Sequence, residues 1–178
     1  MIPKIIHYCW FGGKAVPDNL QRYMATWRTL MPDWEIREWN EHNFSIGTAP
    51  LYVQEAYREQ KWAFVSDYVR LWALNQHGGV YLDTDVEVLR SFEDLLNDVA
   101  FIGLEESLAH LPGTCVMGCE AHCNWVNDML ALYNDIRFVR KDGTLDMTTN
   151  VQRMGIKLIE KGFIPCRNEQ YIDVYGLR

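Results

Sequence analysis

Residues 62–89 read WAFVSDYVRLWALNQHGGVYLDTDVEVL, and three kinds of local order follow one another in them. From Ala63 to His77, apolar residues recur at Phe64, Val65, Tyr68, Leu71, Trp72 and Leu74. That spacing, near 3.6, predicts a helix with a broad buried face. Gly78-Gly79 predicts its end, because glycine takes the left-handed backbone that a helix C-terminus uses. Val80-Tyr81-Leu82 is a short apolar run, read as a buried strand, and it opens into Asp83-Thr84-Asp85. Residues two apart in an extended chain point the same way, so both carboxylates are expected on one side of the sheet at the strand's end.

Such a pair suits a hard divalent cation. Mg²⁺ or Mn²⁺ takes oxygen ligands and is commonly held by one or two carboxylates together with the phosphates of a substrate. The same acids would equally serve as the solvated end of a strand, with Glu87 extending that face, and D-x-D alone is a weak motif. The preceding helix adds Ser66, Asp67 and Arg70 one turn apart, an arrangement suited to gripping a polar ligand. Haloacid-dehalogenase phosphatases also carry D-x-D after an apolar strand. They place Thr or Val two residues after the second Asp, where this chain has Glu87, and their strand lies near the N-terminus.

SDYVR followed by GGVYLDTDVEVL, together with the opening IPKIIHYCWFGG, resembles glycosyltransferase family 32 over residues 2–155. That group includes capsular-polysaccharide transferases and the yeast mannosyltransferase that initiates outer chains; the catalytic domains of the clostridial glucosylating toxins carry a similar block. The resemblance implies an α/β fold of the GT-A type, a Rossmann-like mixed sheet flanked by helices. It implies transfer of a sugar, with retained configuration, from a nucleotide diphosphate sugar to a saccharide or lipid-linked saccharide, with Mn²⁺ or Mg²⁺ as cofactor. By the same resemblance Asp67 and Arg70 bind the donor sugar. Asp83 bridges ribose, sugar and a metal-bound water, Asp85 ligates the metal, and Trp10 stacks on the base, which favours UDP. From the residues alone, Trp10 reads as a core tryptophan. Relatives continue into a histidine-containing tail that this chain lacks. Residues 1–178 are therefore expected to form one domain without that tail, the alternative being a nucleotide-sugar-binding or degenerate domain.

With 178 residues, 48% of them hydrophobic and 23% charged, the composition is that of a globular domain. A net charge of −7 argues against a broad nucleic-acid or anionic-membrane surface. No stretch reaches the about 18 apolar residues of a membrane span. The start, MIPKIIHYCW, lacks the long apolar segment of a signal peptide. Cys9, Cys115, Cys119, Cys123 and Cys166 are odd in number and form no paired framework, so a reducing cytoplasm is expected. Cys115, Cys119 and Cys123, with His122 nearby, fit no usual zinc spacing and read as buried thiols. His7, His42, His77 and His110 carry no assigned role.

Lys4–Trp10 reads as the first strand and Phe11-Gly12-Gly13 as a loop at its carboxyl end, the side on which open α/β sheets bind ligands. A helix over Pro17–Met31 and a strand over Glu35–Trp39 complete a parallel strand–helix–strand unit. Asn40–Pro50 reads as a loop, Leu51–Gln60 as a helix, Ser91–Leu96 as a helical turn and Val99–Gly103 as a strand. Glu105–Gly113 reads as a loop with Pro112-Gly113 as its turn, followed by a candidate strand at Cys115–Met117. Helices are expected over Asn124–Val139 and Val151–Lys161. On the last, Arg153, Lys157 and Lys161 form a basic stripe, read as a solvated face with peripheral membrane contact as the alternative.

Overall fold

In the computed structural model of this chain, residues 1–105, 111–165 and 169–178 are described. Strand β1 (Ile5–Cys9) pairs in parallel with β2 (Glu35–Trp39) on one side and with β3 (Gly79–Leu82) on the other. Helix α1 (Asp18–Leu30) makes the crossover from β1 to β2 that a parallel pair requires. Helices α2 (Leu51–Arg58) and α3 (Trp62–His77) lead from β2 back to β3. The hairpin β4 (Ala100–Glu105) and β5 (Leu111–Cys119) then adds two antiparallel strands, giving the order β2-β1-β3-β5-β4. Helices α4 (Asn124–Ala131) and α5 (Asn150–Glu160) follow. The last residues close along β4, where Arg178 N–H donates to the Ala100 carbonyl at 3.0 Å and Ile102 N–H to the Arg178 carbonyl at 2.9 Å.

Strand alternation divides the core in two. Ile6, Tyr8, Val80 and Leu82 face α1 and pack with Trp27 and Met31. Cys9 and Tyr81 face the other way, into the larger cluster supplied by α2, α3, α4 and α5. Both faces of the sheet are thus covered, which is why its central strands are mostly apolar, with His7 and Thr114 as buried polar exceptions. Among the described residues no helix is long and apolar enough to cross a membrane.

Three expectations are corrected. The helix predicted over Asn124–Val139 stops at Ala131. Leu132 and Tyr133 donate to carbonyls three residues back, and the N–H groups of Phe138 and Val139 turn instead to the buried carboxylate of Glu55, at 2.9 and 3.1 Å. Tyr133 and Phe138 still reach the core, so their apolar spacing reflects burial without a continuous helix. Secondly, Pro112-Gly113 is no turn: it lies inside β5, with Pro112 opposite Leu104. Strand β3 pairs only with Val116–Cys119, so no strand on that side calls for the missing N–H of Pro112. The remainder of the expected loop, residues 106–110 with His110, lies outside the described residues, as does Cys166. Thirdly, the basic stripe on α5 is not a uniform solvated face. Arg153 turns inward, 2.5 Å from Asp146 and stacked 5.3 Å from the Tyr52 ring. Lys157 pairs with Glu160, and Lys161 lies over Tyr175.

His7, left without a role by the sequence, is a fully buried link between strand and helix. Its Nδ1 accepts from the Trp39 indole at 3.0 Å, which leaves Nε2 to carry the proton and donate to the Gly78 carbonyl at 2.8 Å. Both nitrogens are satisfied only in the neutral ring. Burial pushes His7 down to about 4, the bond to Gly78 opposing that fall. A group with a lowered folded-state value takes up a proton more readily when unfolded, so its contribution is complete above about pH 6.5 and is lost as pH falls toward 4. Urea unfolding at a series of pH values should therefore show about 3 kcal/mol lost through this window on account of His7. His7→Gln should be less stable at pH 7 yet show a shallower pH dependence; equal slopes in the two proteins would exclude His7 as the titrating group.

Candidate active site

Strands β1 and β3 end side by side, and the chain leaving each of them borders a cleft of about 610 Å³. Its other walls are the first half of α3 and the start of α1. Of the residues singled out in the sequence, Trp10, Arg70, Asp83 and Asp85 line this cleft, with Ser66 beside them; Asp67 does not. An apolar hollow of about 260 Å³ between the β4–β5 hairpin and the C-terminal segment competes poorly, because its charged residues Glu169 and Arg178 are paired with each other.

The two aspartates of D-x-D occupy different settings. Asp83 prolongs the β3–β5 pairing by one residue, its N–H donating to the Cys115 carbonyl at 3.0 Å. It shares a side with Tyr81, two residues earlier, whose hydroxyl donates to Asp83 Oδ1 at 2.8 Å. Burial raises the Tyr81 phenol well above its usual range, so it remains a donor. Immediately afterwards the chain turns, with Val86 N–H donating to the Asp83 carbonyl at 3.1 Å. Asp85 thus reaches the cleft through a turn and not by strand alternation, which corrects the geometry expected for the pair. Its carboxylate is exposed and has no protein partner among the described residues.

Arg70, 5% exposed, is enclosed by acceptors. Its Nε donates to the Ser66 carbonyl at 3.2 Å. One terminal nitrogen reaches the Thr114 carbonyl at 2.7 Å, Thr114 Oγ1 at 3.2 Å and Asp83 Oδ2 at 3.3 Å. The other lies 3.1 Å from Asp67 Oδ1 and 3.3 Å from Asp83 Oδ1. Its guanidinium carbon stands 4.7 Å from the centre of the Tyr81 ring. Burial works against the charge on Arg70, but Tyr81, Asp83 and Asp67 more than offset it, and the group is held above its usual range.

Asp67 sits behind this clamp. Its Oδ2 accepts from the Asn150 backbone N–H at 3.2 Å, and the Asn150 side chain returns a bond to the Asp67 carbonyl at 3.1 Å. Burial raises Asp67, while Arg70 and the Asn150 N–H act in the opposite direction. The first turn of α5, capped reciprocally by Thr149 and Gln152, is thereby tied to α3.

Trp10 is half-buried, partly packed beside the α1-side core and partly facing the cleft, with its indole N–H donating to the Lys14 carbonyl at 2.5 Å. Sequence reading passed over Trp62, Lys14, Thr114 and Asn150. Gly12 offered a signal for Trp62: with φ +95° and its Cα facing the Trp62 indole, a Cβ there would stand 2.7 Å from Trp62 Nε1. Gly12 is therefore needed for close approach as well as for turning, and Gly13, at φ +68°, for turning alone.

Two carboxylates are oxygen donors of the kind that Mg²⁺ or Mn²⁺ prefers, and Asp85, without a partner among the described residues, would hold such an ion directly. Asp83, already bonded to Arg70 and Tyr81, fits a supporting place. Among the described residues no group of three His, Cys, Asp or Glu side chains is placed to hold a metal by itself.

Residues 17–102 match the glycosyltransferase sugar-binding region containing a DXD motif. An uncharacterized glycosyltransferase of Acanthamoeba polyphaga mimivirus is 30% identical over 105 residues, 54% of this chain and 40% of that protein. Inositol phosphoceramide mannosyltransferase 3 of Schizosaccharomyces pombe (strain 972 / ATCC 24843) is 29% identical over 104 residues, 57% of this chain and 29% of that protein. The chain thus spans less than half the length of these relatives. Among solved structures, PaToxG glycosyltransferase superposes with a TM-score of 0.62 at 18% identity, covering 74% of this chain and 60% of that one. A transferase solved as a double cysteine mutant gives 0.56 at 10% identity, covering 94% and 89%. The backbone is that of a GT-A fold, and residues 17–102 are similar to the DXD-containing sugar-binding region of glycosyltransferases.

Proposed function

We propose that the protein is a glycosyltransferase that moves a sugar from a nucleotide diphosphate sugar, a UDP-sugar first of all, to a saccharide hydroxyl. The observation that carries this reading is the cleft itself, where a free Asp85 and a clamped Asp83 stand at the end of β3 beside Trp10 at the end of β1. In the reaction the bond from the anomeric carbon to the phosphate oxygen breaks, and the nucleotide diphosphate leaves with the electron pair. The acceptor hydroxyl forms the new bond to that carbon and gives its proton to the departing diphosphate, or through it to solvent. Trp10 supplies an aromatic face for the base. Asp83, fixed by Arg70 and Tyr81, accepts hydroxyl groups of the donor, while Asp67 acts through Arg70 by holding it in place. Mn²⁺ or Mg²⁺ held at Asp85 and Asp83 would supply positive charge to the departing diphosphate.

Retention of configuration and a place in polysaccharide synthesis follow from the family 32 resemblance. The name of the fission-yeast relative, an inositol phosphoceramide mannosyltransferase, keeps a lipid-borne acceptor within the same reading. The free thiols of Cys9, Cys115, Cys119 and Cys123 support a cytoplasmic setting. Incubation with UDP-glucose, UDP-galactose and their N-acetyl forms, with Mn²⁺ and a broad acceptor set, tests the activity by product analysis. Stable donor binding with neither transfer nor hydrolysis would favour a binding domain instead.

Calorimetry with UDP and Mn²⁺ should show at least about tenfold weaker binding for Asp85→Asn, the loss of a charged ligand contact being about 1.5 kcal/mol or more. Equal affinity would remove the metal assignment. Trp10→Ala should weaken uridine and UDP alike by about 1–3 kcal/mol with the fold retained by circular dichroism. A variant that loses stability but binds as tightly as the parent would make Trp10 a core residue only.

A further inference from the structure

Four charged side chains line the cleft: Lys14, Arg70, Asp83 and Asp85. The charge of Arg70 is spent on Asp67 and Asp83, and its N–H groups all have acceptors in the protein. Asp85 has no ion pair among the described residues. A diphosphate entering such a cleft meets repulsion that a cation at Asp85 relieves on one side only. Lys14 is the remaining cation. It is exposed, and its ammonium has no ion pair among the described residues. Its backbone is fixed relative to Trp10, since the Trp10 indole donates to the Lys14 carbonyl at 2.5 Å. One short loop therefore carries both an aromatic face and a free ammonium on a flexible stem, the combination that receives a base and its phosphates.

We propose that Lys14 is a diphosphate-binding residue whose ammonium contacts a non-bridging phosphate oxygen of the nucleotide donor. This rests on the nucleotide-sugar reading given above. It assigns the second phosphate-facing charge to the loop after β1, so that protein and metal neutralise the diphosphate from two sides.

The test is calorimetry of UDP and of uridine, each with Mn²⁺, on the unaltered protein, Lys14→Gln and Lys14→Arg. Because Lys14 is exposed and its carbonyl, not its side chain, holds Trp10, the glutamine variant should fold normally. Lys14→Gln should bind UDP about tenfold more weakly, the equivalent of one charge-assisted hydrogen bond, and uridine unchanged. Lys14→Arg should stay near the parent, and the gap between parent and Lys14→Gln should narrow as salt is raised. Equal UDP affinity in parent and Lys14→Gln would overturn the proposal while leaving the nucleotide reading intact. An equal loss for uridine and UDP would also overturn it, since the effect would then lie at the base. Failure of the unaltered protein to bind either ligand would remove the nucleotide-sugar reading itself and Lys14's role with it.

Discussion

Arg70 brings a full positive charge into a buried position at the wall of the cleft, and the neighbouring structure is arranged to satisfy it. Desolvating an ion costs several kcal/mol, which is offset only when its hydrogen-bonding capacity is met on every side. Here Ser66 on α3, Thr114 on β5, Asp83 at the end of β3 and Asp67 on α3 meet it together. Stripping a buried charge of its partner typically costs about 3–5 kcal/mol; Arg70 has two carboxylates, so loss of either Asp67 or Asp83 leaves it still paired with the other. The same bonds hold the Asp83 carboxylate in one orientation. The orientation of Asp83 therefore depends on the Arg70 guanidinium together with the Tyr81 hydroxyl.

The sheet makes this meeting possible. β3 starts directly after α3 because Gly79, at φ +104°, lets the chain pass close beside β1; a Cβ there would stand 2.6 Å from the Ile5 carbonyl oxygen. Gly78-Gly79 thus does more than stop a helix. It sets β3 against β1 and lets His7 reach the Gly78 carbonyl. With β1 and β3 parallel and adjacent, their carboxyl ends open on the same side, where a ligand crevice belongs in a sheet of this kind.

Within the cleft the labour is divided by burial. Asp83 is half-buried and engaged, so it keeps a fixed direction but little spare capacity. Asp85 is exposed and has no partner among the described residues. Trp10 and Lys14 come from the opposite strand end on one loop. The site thus assembles from two strand ends and a helix, each contributing what its local environment allows.

Much of this was legible in the chain. The 3.6 periodicity of residues 63–77, the apolar runs of β1 and β3 and the acids after Leu82 are patterns among neighbours, and local backbone preference is set by neighbours. Trp10, Arg70, Asp83 and Asp85 could be singled out for that reason, with family resemblance supplying their roles. The partners could not. Thr114 meets Arg70 across 44 residues, Asn150 meets Asp67 across 83, and Glu55 takes the N–H groups that end the expected helix across 83 and 84. Pro112 looked like a turn because its pairing with Leu104 depends on where β3 ends. The amino-acid sequence by itself determined the elements and the residue types at their ends. Only the tertiary structure decided which carboxylate is clamped and which is free, because burial and hydrogen-bond partners are properties of residues brought together from distant parts of the chain.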